Sequence, residues 1–296
     1  MISRLLFILP NWIVPTVLLL VGFYVPASRV AWWGYLAVQL VYVAVVEVAR
    51  RAGTLSPSTT FERGDHQASK AVVLVHGFAD TPLAWSRQAD ALAARGWRVI
   101  VPELDLTQTA TQWQTVIREA LIEARRTASW VELWGHSMGG ALSMAVAQTE
   151  AVDRLVLWAP FLEPAMGNLA SRTLYWLHRL FFLWPYTLTW FPVERRGKGE
   201  PETFYRVRRV IPTRTFQSAL SVPKFALLQP LTVPTLLILS QNDRVVRNAP
   251  VLKAFEGVPL LWAANPRSSH ALTNAVDWLE NLKRVLGETD DLRHSL

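Results

Sequence analysis

The sequence contains no cysteine and few charged side chains. Without cysteine in 296 residues, neither a disulfide framework nor a zinc site built on thiolates is available. Charged residues make up 18% of the chain, and Lys and Arg never occur in a run longer than two. The formal net charge is +7, but no nucleic-acid-binding motif accompanies it. We therefore expect no nucleic-acid partner, and a basic surface that suits an anionic membrane.

Hydrophobic residues are abundant instead, at 51% of the sequence, and two uncharged stretches lie near its start. They cover residues 5–28 and 30–46, with Arg29 between them. A helix that crosses the hydrocarbon core needs about 20 apolar residues, with a range of about 17–25. These lengths predict an N-terminal transmembrane hairpin within residues 1–51. The alternative is a secretory signal followed by a buried helix.

The basic residues around this segment predict its orientation. Arg4 precedes the first stretch, and Arg50 and Arg51 follow the second. Because positive charge is retained on the cytoplasmic side, both ends of the hairpin are expected there. The expected location is a membrane of the bacterial inner-membrane type, with membrane lipid as a partner and the remaining chain in the cytoplasm.

After a polar linker over residues 52–70, short apolar runs alternate with amphipathic segments. The strand-like runs cover residues 71–75, 98–101, 130–134, 155–158, 235–239 and 258–263. Strands that alternate with helices predict an α/β fold with a mostly parallel sheet flanked by helices. This core is expected over residues 71–160 and 235–296.

Residues 161–234 interrupt the alternation and are rich in aromatic and basic side chains. A third membrane span is disfavoured by His178, Arg179 and Pro185. The segment instead predicts a helical cap over the carboxyl edge of the sheet.

The segment Gly135-His-Ser-Met-Gly139 lies between a predicted strand and a predicted helix. This context is typical of a nucleophile elbow, in which a strained turn raises the serine hydroxyl above the sheet. Glycines are expected on both sides because the adjacent strand and helix leave no room for side chains. Ser137 is therefore the candidate nucleophile, and a plain glycine-rich turn is the alternative.

Two further residues are expected at the same edge of the sheet. Asp243 follows the strand at 235–239, and His270 follows the last predicted strand. Since the carboxyl ends of parallel strands meet at one edge, both should approach Ser137. His270 would act as the base, and Asp243 would orient its imidazole and stabilise its charge. The structural alternatives are a turn or helix cap for Asp243 and a surface or capping histidine for His270.

An oxyanion needs N–H donors, and two backbone positions can supply them. Met138 follows the nucleophile at the start of a helix, and Phe78 lies in the loop after the first core strand. His76 is expected to hold that loop in shape, and His136 to be structural.

The segments "LVHGF", "GHSMGG", "SQNDRVV" and "SSHALT" resemble the carboxylesterase and monoacylglycerol-lipase branch of the α/β-hydrolases, over roughly residues 71–287. The resemblance implies a Ser137, Asp243 and His270 triad, with Phe78 and Met138 as the oxyanion hole. It also implies ester hydrolysis through an acyl-serine, without metal or cofactor. Pro102-Glu-Leu-Asp-Leu-Thr107 departs from the family, in which many members carry Arg-Gly-His-Gly at this place. The hairpin and the Trp-rich cap also lie outside the common core.

Together these features predict a membrane-anchored serine esterase or lipase for small-molecule esters with an apolar acyl chain. Thioesters, amides and acyl transfer to an alcohol use the same triad and stay open. A non-enzymatic membrane scaffold is disfavoured because the complete triad would have no purpose in it.

Overall fold

The computed structural model describes residues 26–52, 59–181, 186–188, 210–241, 243–256, 261–265, 270, 272–273, 278–287 and 293–294. The strands are β1 (Phe61–Arg63), β2 (Lys70–Val75), β3 (Arg98–Val101), β4 (Trp130–His136), β5 (Arg154–Trp158), β6 (Tyr186–Leu188), β7 (Val210–Pro212), β8 (Thr235–Ser240), β9 (Leu261–Asn265) and β10 (Arg293–His294). The helices are α1 (Pro26–Ala52), α2 (Ser86–Ala93), α3 (Ala110–Arg125), α4 (Met138–Ala147), α5 (Asn168–Phe181), α6 (Thr213–Ala226), α7 (Asn248–Ala254) and α8 (Trp278–Leu286). Strands and helices alternate from β2 to β5 and again from β8 to α8, as the sequence predicts.

Eight of these strands form one sheet in the order β1-β3-β2-β4-β5-β8-β9-β10. The inner strands pair in parallel, and β1 and β10 are added antiparallel at the two edges. The predicted mostly parallel sheet is therefore confirmed. Gly135 in β4 is level with Val75 at the end of β2 and with Leu157 in β5. The loops that follow these strands consequently emerge side by side at the carboxyl edge.

Helices cover both faces of the sheet, which is why its inner strands consist mostly of apolar residues. In β2, Val73 packs in one buried cluster with Leu142 of α4, and residues of α3 belong to the same cluster. Val72 points to the opposite face and packs in a second cluster with Leu92 of α2 and residues of α8. Because successive side chains of a strand point to opposite faces of the sheet, the apolar residues of β2 contribute alternately to the two clusters.

The segment between β5 and β8 contains α5, the hairpin β6–β7 and α6. Val222 of α6 belongs to the same buried cluster as α3 and α4. The side-chain amide of Gln148 donates to the carbonyl oxygens of Phe225 and Ala226 at 3.2 and 2.8 Å. One helix of the segment expected as a cap therefore packs on α3 and α4 of the core. The domain bounds 161–234 stay a prediction, and the basic residues between 195 and 209 lie outside the described residues.

The predicted transmembrane hairpin is not confirmed. Its first stretch lies almost entirely outside the described residues, and its second stretch forms part of α1. Among the helices of the described ranges, none combines the length and the apolar character that a membrane span requires. The uncharged part of α1 ends just before Glu47, and it includes the polar side chain of Gln39. The helix contacts both β6 and β7.

Candidate active site

Ser137 occupies the turn between β4 and α4 in a backbone conformation that side chains rarely adopt, with φ 53° and ψ −119°. Its N–H donates to the carbonyl oxygen of Trp158 at 2.9 Å, and its own carbonyl oxygen accepts from the N–H of Phe161 at 2.9 Å. Since the chain after β5 holds the backbone on both sides of the residue, the strained conformation is fixed. The strained turn predicted from the sequence is present.

The glycines of this turn are required by the close approach of β2, β4 and α4. A Cβ on Gly139 would lie 2.4 Å from the carbonyl oxygens of both Val75 and His76. A Cβ on Gly135 would lie 2.4 Å from the carbonyl oxygen of Gly139, whereas real Cβ atoms essentially never come within 3.0 Å of a neighbour. The expected lack of room for side chains at Gly135 and Gly139 is therefore confirmed.

The structure brings Ser137, His270 and Asp243 together in one line of hydrogen bonds. Ser137 Oγ lies 2.7 Å from His270 Nε2, to which the hydroxyl donates. His270 Nδ1–H donates to Asp243 Oδ2 at 2.8 Å. The other oxygen, Oδ1, accepts from the N–H groups of Val245 and Val246 at 2.8 and 2.9 Å. Both partners of Ser137 thus come from loops at the carboxyl edge, after β8 and β9.

The electrostatics of this line favour an ionised Asp243. Its side chain is 1% exposed, and burial alone would raise the pKa of its carboxyl. The hydrogen bonds from His270, Val245 and Val246 outweigh burial and hold that pKa below its usual value. A carboxylate in this position can fix the imidazole tautomer and balance a proton taken up at His270.

His76 is held by the backbone of two neighbouring loops. Its Nδ1–H donates to the carbonyl oxygen of Gly77 at 2.9 Å, and its Nε2 accepts from the N–H of Leu104 at 3.1 Å. The neutral ring therefore ties the loop after β2 to the chain after β3, which agrees with the loop-shaping role expected for it. His66 is instead exposed and lies beside Glu62.

His136 lies one residue before Ser137 and is buried, although the sequence assigns it no partner. Its Nε2 lies 2.9 Å from the carbonyl oxygen of His270, and its Nδ1 lies 3.7 Å from Oδ2 of Asp80. Sequence reasoning missed Asp80. The only indication of its role is its place two residues after Phe78, in the loop predicted to supply an oxyanion donor.

Phe78 and Met138, the predicted oxyanion donors, border the same turn. Met138 is the first residue of α4, and the first N–H groups of a helix have no partner within it. The ring of Phe78 packs edge-on against Phe216 of α6, with 6.1 Å between centroids. Phe216 in turn stacks on Tyr175 of α5 at 6.2 Å. The use of these two N–H groups by an oxyanion stays a prediction.

Taken together, a hydroxyl, an imidazole and a carboxylate lie in one line of hydrogen bonds, an arrangement that can activate a hydroxyl as a nucleophile. Within the described parts of the chain, no group of three or more His, Asp or Glu side chains is arranged to hold a metal ion.

The chain matches the model of the alpha/beta hydrolase family over residues 72–281, which is more than half of its length. It therefore belongs to the α/β-hydrolase family, as its motifs predict. No curated protein matches the sequence.

Several solved structures share this fold. A structure from a study of LipS and LipT, two metagenome-derived lipolytic enzymes, is 20% identical with a TM-score of 0.64, over 79% of this chain and 98% of that chain. The monoacylglycerol lipase of Paleococcus ferrophilus is 15% identical with a TM-score of 0.63, over 77% and 96%. The thioesterase domain from the curacin biosynthetic pathway is 17% identical with a TM-score of 0.53, over 77% and 94%. At these identities the likeness establishes the fold alone.

The crowding at the turn predicts the effect of a single methyl group. Gly139→Ala should lower the free energy of unfolding by at least ~2 kcal/mol, because the Cβ would collide with backbone that cannot move aside. Gly34→Ala is the control, since nothing lies within 4 Å of a Cβ at Gly34 in α1. It should be neutral or stabilising by up to ~1 kcal/mol. Chemical unfolding of both variants measures the difference, and equal stability of the two would contradict the packing described.

The lowered pKa of Asp243 predicts how its stabilising effect depends on pH. An unfolded aspartate titrates near pH ~3.9, so the ionised group stabilises the fold above that pH. This contribution is lost as the pH falls through the lower folded pKa. The free energy of unfolding lost in Asp243→Asn should therefore be constant from about pH 7 to about pH 5 and shrink below about pH 4. Urea titrations of wild type and Asp243→Asn at each pH measure this loss. If the difference in the free energy of unfolding stayed the same below about pH 4, the prediction would be wrong.

Proposed function

We propose that this chain is a serine hydrolase that cleaves carboxylic esters through an acyl-serine intermediate, with Ser137, His270 and Asp243 as its catalytic residues. The observation that carries the proposal is the line of hydrogen bonds from Ser137 Oγ to His270 Nε2 at 2.7 Å and from His270 Nδ1 to Asp243 at 2.8 Å. A plain turn, a capping histidine and a turn-forming aspartate would have no reason to align in this way. Membership in a hydrolase family supports the same conclusion.

In the proposed mechanism, His270 takes the hydroxyl proton as Ser137 Oγ forms its bond to the ester carbonyl carbon. The N–H groups of Phe78 and Met138 donate to the resulting oxyanion. Collapse breaks the bond to the alcohol oxygen, which receives the proton from His270. Water then attacks the acyl-serine and gives a proton to His270. Collapse breaks the bond between the acyl carbon and Ser137 Oγ, which takes this proton back from His270 as the acid leaves. Asp243 stays ionised and stabilises the imidazolium in both halves.

The side chains beside Phe78 support an apolar acyl chain as part of the substrate. Ile211 of β7 and Leu106 are buried in a cluster against Phe78 and Phe216. The hydroxyl of nearby Tyr175 donates to Gln217 at 2.9 Å, so its hydrogen is already used within the protein. The apolar character of the surface beside Phe78 is therefore kept. Each methylene buried here would contribute about 0.8 kcal/mol of binding. The similarity of the fold to lipases fits such a substrate.

The same three side chains would also cleave a thioester, and one protein of similar fold is a thioesterase domain. Sulfur leaves without needing a full proton transfer, so the line of hydrogen bonds does not select against it. An oxygen ester and a thioester of the same acid, compared by kcat/KM, separate the two activities. Product analysis with added alcohol detects acyl transfer, in which an alcohol replaces water as the second nucleophile.

We also propose that residues 1–51 attach the hydrolase to a membrane, with the hydrolase on the cytoplasmic side. Large apolar side chains of α1 are more than 60% exposed to solvent: Val30, Trp33, Leu40, Val41 and Val48. A soluble monomer rarely leaves such a patch uncovered. The uncharged residues 5–28 precede this helix, and Arg4, Arg50 and Arg51 favour the cytoplasmic placement of both ends. The proposed substrate is a small-molecule ester that is drawn from the lipid.

Replacement of the nucleophile gives the direct test. Ser137→Ala should lower kcat on p-nitrophenyl esters by ~10⁴–10⁶ and abolish covalent labelling by a fluorophosphonate. His270→Ala should be equally damaging, and Asp243→Asn should cost up to ~10⁴ because the imidazole takes the wrong tautomer. A series of esters with rising acyl length, measured with each protein, reports the loss.

His66→Ala is the matched control for the histidine change, because His66 is exposed and remote in sequence from the aligned groups. It should keep wild-type kcat and labelling. A folded Ser137→Ala protein with near-normal turnover would refute the proposed mechanism, and full activity in Asp243→Asn would assign the orienting role to another carboxylate.

Membrane attachment is tested by carbonate extraction, which removes peripheral proteins. The full chain should stay with the membrane, and the double variant Leu18→Arg, Val41→Arg should be released, since a charge in the middle of a span costs ~2.5–3.5 kcal/mol. The control Ile122→Arg adds a single arginine at an exposed position of α3, outside the proposed anchor, and should remain attached. Release of the wild-type chain would disprove the attachment, and digestion of the hydrolase by protease outside intact spheroplasts would reverse the orientation.

A further inference from the structure

His136 and Asp80 form a second imidazole–carboxylate pair beside the proposed catalytic residues, and the mechanism above uses neither. The side chains of His136 and Asp80 are 2% and 3% exposed, with 3.7 Å between Nδ1 and Oδ2. The ring of His136 lies 5.0 Å from that of His270 between centroids. A Cβ on Gly77 would lie 2.9 Å from Oδ2 of Asp80, so a glycine there leaves the space that the pair occupies. Burial of two ionisable side chains is costly unless their contacts offset it.

The contacts of His136 determine where its protons lie. Nε2 lies 2.9 Å from the carbonyl oxygen of His270, and a carbonyl only accepts, so Nε2 carries a hydrogen. Nδ1 then faces the Asp80 carboxylate, which would repel a bare lone pair and attract a second hydrogen. Burial alone would lower the pKa of His136, but Asp80, the His270 carbonyl and the charge on Asp243 together raise it above its usual value.

Three titratable groups face His136 from the loops packed around it. Asp80 comes from the loop after β2, Asp243 from the loop after β8 and His270 from the loop after β9. His76, a buried histidine in the loop after β2, instead contacts Gly77 and Leu104. The two carboxylates favour the protonated form of His136 and so raise its pKa.

The His270 carbonyl is the point at which this pair acts on the site. It accepts from His136 and also from the N–H of Leu272, at 2.9 Å in each case. His270 must keep its ring within hydrogen-bonding distance of both Ser137 and Asp243, although it comes from a loop. A backbone held at its carbonyl cannot rotate the ring away from that line, and a misplacement of about 1 Å can cost ~10²-fold in rate.

We propose that His136, held by Asp80, is a positioning residue that fixes the backbone of His270 and thereby keeps the base over Ser137. This inference rests on the proposed function of the same site. His136 contacts no reacting atom, so it acts only through His270. Because Asp80 lies two residues after Phe78, the pair also links the loop of the base to the loop of the proposed oxyanion donor.

Two variants of similar polarity separate positioning from packing. His136→Gln places an amide N–H close to the position of Nε2, within reach of the His270 carbonyl. His136→Asn keeps a polar partner for Asp80 but is too short to reach that carbonyl. We expect His136→Asn to lower kcat by ~10–100-fold with KM unchanged, and His136→Gln to stay within about fivefold of wild type. The rate of Ser137 inactivation by a fluorophosphonate should follow kcat, and His66→Gln should change neither.

A second readout needs no substrate. The hydrogen-bonded Nδ1 proton of His270 should give a low-field proton resonance, identified by its loss in Asp243→Asn. We expect this resonance to broaden or shift in His136→Asn and to persist in His136→Gln. If wild type neither hydrolyses esters nor takes the label, the proposed function fails, and the resonance alone decides the positioning role. Equal kcat and equal resonance in the Asn and Gln variants, whether both normal or both impaired, would overturn the proposal.

Discussion

The positive φ of Ser137 is the constraint on which the rest of the site depends. Because α4 begins at the next residue, the turn is too short to adopt a relaxed backbone conformation. Hydrogen bonds to Trp158 at the end of β5 and to Phe161 just after it keep Ser137 in the strained conformation. Gly139 brings the first turn of α4 against the carbonyl oxygens of Val75 and His76. The close approach of Gly139 to β2 therefore fixes the positions of the Ser137 hydroxyl, the Met138 N–H and the loop after β2 relative to one another. No other side chain is needed for this arrangement.

The parallel sheet supplies the remaining groups because its loops emerge at one edge. β8 leads to Asp243, β9 leads to His270 and β2 leads to Phe78 and Asp80. Loops alone are too adaptable to hold side chains at hydrogen-bonding distance, and each of these is tied at its backbone. Val245 and Val246 donate to Asp243, and His136 and Leu272 donate to the carbonyl of His270. The proposed base is thus fixed at both its ring and its main chain.

The sequence predicts those parts of the molecule that are set by local spacing. The apolar runs predict the sheet, and Gly-x-Ser-x-Gly between a strand and a helix predicts the strained turn at Ser137. The contact of Asp80 with His136 is not predictable in this way. It joins the loop after β2 to the end of β4, which are far apart in sequence and meet only when the sheet forms. Local spacing also does not predict the packing of α6 on α3 and α4, because the aromatic residues around it favour a cap. A charge at Glu47 limits the second apolar stretch, whose length alone suggested a span.

The hairpin β6–β7 joins the apolar side of the site to the N-terminal helix. α1 contacts both of its strands, and Ile211 of β7 is buried in the cluster that includes Phe78 and Phe216. Phe78 carries one of the proposed oxyanion donors, so this hairpin lies between the helix proposed to meet lipid and the loop proposed to bind the reacting carbonyl. If residues 1–51 hold the chain at a bilayer, an acyl chain that leaves the lipid meets aromatic and aliphatic side chains along this route before it reaches Ser137.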